Sequence, residues 1–266
     1  VNVQRVRTII EKEWAEVFKN RLVIFTVAAL PLLFTLLPLG ILYGTRSLGA
    51  GAAGGDVTDL PPAFLEACGD AAPHECFQVY LINQFLVLFM MMPLIIPTSI
   101  AAYSIVGEKT TRSLEPLLAT PITTEELLAG KGLAAALPAV GAAWGAFLLF
   151  VALAPLAGAT PGVVSRIFSP TWLMAVFVIG PLMAILSVNF AVMVSSRVTD
   201  PRVAEQISGV LIVPLMVLIF GQIGGLIVIN LQLMLGVAVT LAVLDVGAVY
   251  LGAQIFQREA ILTKWK

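Results

Sequence analysis

The chain has 266 residues, of which 59% are hydrophobic and only 12% charged, and its mean hydropathy is +0.99. This balance excludes an ordinary soluble domain and marks an integral membrane protein. The formal net charge of -1 leaves no basic surplus for nucleic acid, and it averages over segments of opposite sign.

Residues 3–20 read as an amphipathic helix. Val3, Val6, Ile10, Trp14 and Val17 recur at helical spacing, while Arg5, Lys12, Glu16 and Lys19 fall opposite. Such a helix lies along a membrane, with Trp14 and its neighbouring cations at headgroup level. It is either a plain interfacial anchor or an elbow that also touches a partner. Six apolar runs follow, at 22–43, 81–106, 133–154, 173–194, 207–226 and 231–256. Each is long enough to cross a hydrocarbon core of roughly 30 Å, which takes about 20 helical residues. The first run has the length of a retained span and lacks a small-residue cleavage site, so it is not read as a signal peptide.

Basic residues near span ends are retained in the cytoplasm. With the N-terminus inside, all of the 15 Lys and Arg except Arg46 and Arg166 fall on inner segments. The first outer loop, 44–80, instead carries Asp56, Asp59, Glu66, Asp70 and Glu75. The expected protein is therefore a multi-pass component of the cell membrane with both termini cytoplasmic. That outer loop is rich in Gly, Ala, Asp and Pro, and holds both cysteines, Cys68 and Cys76. An oxidising exterior favours a Cys68–Cys76 disulfide; His74 and Glu75 beside Cys76 make a weaker pattern for a metal, and no metal site is expected. The second outer loop, 155–172, reads as a connector.

Between spans two and three lies a polar segment, residues 107–131. Glu108, Lys109 and Arg112 are charge neighbours on a helical extension of span two. Pro116 and Pro121 break it, and Leu114, Leu117 and Leu118 between them have nothing of their own to pack against. Thr123-x-x-Glu126 then matches a capping box and starts a new helix into span three. The pattern predicts helix, short transverse helix, helix, with the transverse piece a knob for another protein's groove.

Glu108-Lys109, Ser113-Leu114-Glu115-Pro116-Leu117-Leu118, Thr120-Pro121-Ile122 and Leu127-Leu128-x-Gly130-Lys131 resemble the signature of type-2 ATP-binding-cassette (ABC-2) permeases. The segment 195–206 is similar to the second cytoplasmic connection of that family's sodium- and drug-export-like branch. The resemblance implies one all-α permease domain over 1–266: six transmembrane helices, an elbow helix (1–21) and a cytoplasmic coupling helix within 107–131. It also implies a second permease chain, as homodimer or heterodimer, and a cytoplasmic ATP-binding-cassette ATPase driven by ATP and Mg. On this resemblance Gly107, Glu108, Lys109, Arg112, Leu114, Glu115, Leu117, Leu118, Pro121, Gly130 and Lys131 couple the permease to that ATPase. The sequence itself contains no Walker A pattern, since Gly130-Lys131 lacks the earlier Gly and is followed by Gly132. The chain is expected to carry no cofactor and no catalysis of its own.

Within the spans, Asp245 is the costly group, at about 2.5 kcal/mol or more on insertion scales unless paired or neutral. It is read as a cation or proton site, a substrate contact, or an interhelical hydrogen bond. Asn189 and Asn83 join it as candidates for a translocation path. Two readings compete: an ATP-driven exporter of drugs or cations (or of lipid or polysaccharide), and an ATPase-independent secondary transporter or channel using Asp245. Prolines 93, 97, 138, 181 and 214 are expected to kink their spans.

Overall fold

The computed structural model describes residues 2–47, 73–111 and 122–255, and over these the fold is helical, without strands. Among the described residues, six helices are long and apolar enough to cross a membrane.

Helix α1, Val3–Val17, is capped by the Asn2 side chain, which accepts from the Gln4 amide at 3.0 Å. Its buried face is Val6, Ile9, Glu13 and Val17, spaced by three or four residues, so one stripe packs inward. This differs from the face expected from hydrophobicity. Val3 is 79% exposed and Trp14 is partly exposed, because the stripe is rotated to carry a charged residue, Glu13, into the protein.

Helix α2, Arg21–Ser47, precedes α3, Pro73–Thr111. With 39 residues, α3 is roughly 58 Å long at 1.5 Å per residue, well beyond a hydrocarbon core. It therefore takes in residues 73–80, expected as outer loop, and runs on through Glu108 and Lys109. It is also the axis of the bundle: 89% of its apolar window is buried, against 17% for the span that begins at Pro201. Helix α4 is Thr124–Leu153. Thr123 and Glu126 form the reciprocal capping box at its start, with Glu126 N donating to Thr123 Oγ1 at 3.2 Å and Thr123 N to Glu126 Oε2 at 3.0 Å.

The fourth span is composite. Helices α5 (Pro161–Ile167) and α6 (Pro170–Met174) occupy the stretch expected as a plain connector. Thr160-Pro161 and Ser169-Pro170 each place proline at a helix start, where its missing N–H costs nothing. A π-helical turn, Ala175–Ile179, leads into α7, Gly180–Ser195. In that register the Val176 carbonyl would need the N–H of residue 181, which is proline. Trp144 of α4 supplies the donor instead, its Nε1 lying 3.1 Å from Val176 O. Trp172 is buried among Phe89, Phe147 and Phe150, with ring centroids 6.1 to 6.3 Å away.

Helix α8, Pro201–Ser208, is capped by Asp200, so it begins inside the segment expected as a second connecting loop. A 3₁₀ turn, Gly209–Ile212, joins it to α9, Val213–Ile223, and α10 is Leu231–Ile255. The uncertain fifth–sixth boundary thus falls before Leu231, where Asn230 Oδ1 accepts from Leu233 N at 2.8 Å. At the end of the bundle away from α1, Gln78 Nε2 donates to Gly158 O at 3.3 Å. Gly158 has φ 98°, the left-handed region that suits glycine.

Candidate functional site

The polar segment between spans two and three is anchored by a buried charge cluster that joins it to α1. Lys131, on α4, places Nζ 2.8 Å from Glu13 Oε1 of α1, 2.8 Å from Ser104 Oγ of α3 and 2.8 Å from Glu108 Oε2 of α3. The Glu108 contact is a charge contact without hydrogen-bond alignment. Ser104 donates to Glu13, while Lys12 pairs with Glu108 and lies 3.5 Å from Glu13 and 3.6 Å from Glu16. Glu13, Glu108 and Lys131 are each at most 4% exposed. Three elements far apart in sequence thus share one knot.

The electrostatics explain why these charges tolerate burial. Burial pushes the Glu13 carboxyl up, but the Lys131 ammonium, the Ser104 hydroxyl and Lys12 outweigh it, so the group lies below its ordinary value of 4.5. For Lys12, burial acts downward, and the Glu108 carboxylate followed by Glu13 and Glu16 turns the net shift upward. Removing one member of such a set leaves an uncompensated buried charge, at a cost of about 3–5 kcal/mol.

Packing reinforces the knot. A Cβ on Gly130 would sit 2.7 Å from Ile9 Cγ2, so α1 can lie against α4 there only because residue 130 has no side chain. Trp14 Nε1 donates to Ala134 O at 2.9 Å. Glu126 serves twice: besides closing its capping box, it accepts from Asn2 N at 2.8 Å and from Arg5 Nη1 at 3.3 Å. The α4 N-terminus and the α1 N-terminus are thereby pinned together.

The neighbouring Lys109 points elsewhere. Its Nζ donates to Ser196 O and Val198 O, each at 3.1 Å, at the C-terminal end of α7 where a cation suits the free carbonyls. Glu108 and Lys109 therefore do not serve each other, as charge neighbours would. One ties α3 to α1 and α4, the other to α7. Gly107 lies beside them; its carbonyl accepts from the Thr110 and Thr111 hydroxyls at 2.9 and 2.8 Å. It also lines a cavity of about 240 Å³ with Glu16, Asn20, Tyr103 and Glu108. Arg112, Leu114, Glu115, Leu117, Leu118 and Pro121 lie outside the described residues.

Sequence reading missed Glu13, Lys12, Ser104 and the second role of Glu126. The available signal was position: Glu13 follows Val6 by seven residues and Ile9 by four, so it shares their face.

The three candidates for a path are not brought together. Asp245 is 6% exposed on the inward face of α10 with Ala238, Leu241 and Ala248, and both its carboxylate oxygens are without a hydrogen-bond partner. Asn189 faces α10 at Gly252, where a Cβ would lie 3.6 Å from its Oδ1. Gly252 is seven residues from Asp245, or roughly 10 Å along the helix. Asn189 Nδ2 returns to its own Ile185 O at 2.9 Å. It does line the largest described cavity, about 300 Å³ between α4, α7 and α10, with Glu125, Leu133, Ala136 and Val249. Asn83 accepts from Trp172 Nε1 at 3.4 Å, a tie between α3 and α6. Cys76 is buried and disulfide-bonded; Cys68 lies outside the described residues.

Six apolar membrane-length helices, a long central span with a charged end, and an amphipathic helix braced against that end define a multi-pass membrane protein of transporter type. The sequence model of the ABC-2 family transporter proteins matches residues 7–263, and the chain belongs to that family. No curated protein matches the chain.

Proposed function

We propose that this chain is the permease subunit of an ATP-driven exporter, and that the elbow junction with residues 107–131 is the part that receives force from a separate cytoplasmic ATPase. The observation that carries this reading is the Lys131 bridge from Glu13 on α1 to Glu108 on α3. It makes α1, α3 and α4 one rigid piece at the two ends of the segment that resembles the family's coupling signature. A load applied between Thr111 and Thr123 would then reach the central span directly and, through Lys109, the end of α7. The basic bias of this end supports a cytoplasmic location for it and for both termini. ATP and Mg belong to the partner, and a second permease chain completes the path. The apolar cavity beside Asn189 suits the hydrocarbon part of an amphipathic cargo, which drug export and lipid export both require.

The test is reconstitution in vesicles with the co-expressed ATPase. Leu117→Asp is expected to leave insertion intact and abolish permease-stimulated ATP hydrolysis. Full stimulated turnover in that variant would remove the loop assignment, and cargo flux driven by an ion gradient without any ATPase would favour the secondary-transporter reading.

A further inference from the structure

A second polar cavity, about 50 Å³, lies between α3 and the α8–α9 span, lined by Thr98, Ser99, Glu205, Ser208 and Gly209 among others. Its donor set is all oxygen. The Ser99 hydroxyl donates to the Glu205 carboxylate, and Thr98 contributes a hydroxyl that also touches Ser187. Ser208, three residues after Glu205 and so on the same side of α8, is only 1% exposed and its hydroxyl has no hydrogen-bond partner. A buried hydroxyl left without a partner calls for one. Glu205 makes no ion pair among the described residues. One carboxylate, several neutral hydroxyls and a small cavity thus meet where two spans touch.

We infer that this seam binds one alkali-metal cation, held by the Glu205 carboxylate and the hydroxyl oxygens of Ser99, Ser208 and Thr98. The single carboxylate matches a single positive charge, whereas calcium sites gather several carboxylates and magnesium keeps its own water shell. No sulfur or imidazole lines the cavity, so softer metals have no ligand there. A water molecule alone would satisfy Ser208 but leave the Glu205 charge uncompensated. The cavity exceeds the roughly 10–15 Å³ that one water requires, giving room for an ion with part of its hydration. Glu205 is half-buried, which provides a route from solvent. The site also lies where α8 passes into the 3₁₀ turn Gly209–Ile212, a change of helical register of the kind that marks hinges. Cation binding would clamp that hinge to the central span. This inference is independent of the ATPase reading.

The experiment is equilibrium binding of radiolabelled sodium and, separately, rubidium to the purified full chain in detergent, with N-methylglucamine chloride holding ionic strength constant. Saturable binding of one ion per chain, for either cation and displaced by its unlabelled salt, is expected. Glu205→Gln and Ser208→Ala should each weaken it by roughly tenfold or more, with size-exclusion profiles recording that the variants remain folded. Absence of saturable binding to the unmodified chain overturns the inference, whatever the variants do. Binding that is unchanged in folded variants overturns it equally, because the ion would then lie elsewhere.

Discussion

Two buried acidic groups in this protein meet opposite circumstances. Glu13 enters the interior in the company of Lys131, Ser104 and Lys12; Asp245 enters it with neither oxygen hydrogen-bonded. The difference follows from position. Glu13 lies at the wet end of the bundle, where three chain segments converge and long cationic side chains can reach from the surface. Asp245 lies near the middle of α10, against helices α6 and α7, which contain no Lys or Arg. A charge cluster that is fully paired holds elements together, whereas an isolated carboxyl is a cost the fold carries for another reason.

Substitutions at the two places should therefore have opposite signs. The largest effect is expected from Lys131→Ala, which strands Glu13 and Glu108 and should destabilise the purified chain by about 3–5 kcal/mol, read as a lower thermal midpoint in detergent. A midpoint equal to that of the unmodified chain would mean that the cluster braces nothing. Next, Gly130→Leu drives a side chain into Ile9 and is expected to cost about 1–3 kcal/mol. Hydrogen exchange should then rise across α1 while α10 keeps its protection; protection lost everywhere would argue against a local hinge of α1 on α4. At the other place, Asp245→Asn removes the unpaired carboxylate and should leave stability unchanged or raise it by about 1 kcal/mol. A clear loss of stability would reveal a partner for Asp245 in the assembled protein.

The smallest effect concerns pH. Because the Glu13 carboxyl is held below its ordinary value, the stabilisation it gives is present above about 4.5 and is lost as pH falls through the folded value. Lys12 works in the other direction: its raised value makes its contribution full below about 10.5, declining as pH rises past the folded value. Fluorescence of Trp14, bonded to Ala134 across the same interface, should report loosening of α1 in acid before the bundle unfolds. The Glu13→Gln variant should lack that early transition. Its persistence would assign the transition to another carboxyl.

The six spans could be read from the sequence because membrane length and apolarity are one-dimensional properties, and Thr123-x-x-Glu126 could be read because a capping box is local. The rotation of α1 could not. Counting apolar side chains puts Val3, Ile10 and Trp14 inward, while the stripe that packs contains Glu13, whose burial depends on a lysine more than a hundred residues later. The extent of α3 was hidden by the same limit, since its ends are polar and only tertiary contacts make them helical. The helices at Pro161 and Pro170 did carry local signals, Thr160-Pro161 and Ser169-Pro170, which the apolar-run reading passed over. The π turn at Ala175–Ile179 had none, as it depends on Trp144 finding a free carbonyl.

Exchange of the paired charges tests the central claim most directly. Glu13→Lys and Lys131→Glu, singly and together, should be compared for ATP hydrolysis stimulated by the permease in vesicles containing the co-expressed ATPase. The account predicts that each single variant inserts but loses most of the stimulation, and that the double variant recovers a substantial part of it. Full stimulation in both single variants, with normal insertion, would contradict it: the elbow junction would then be a fold-holding contact that carries no force to the spans.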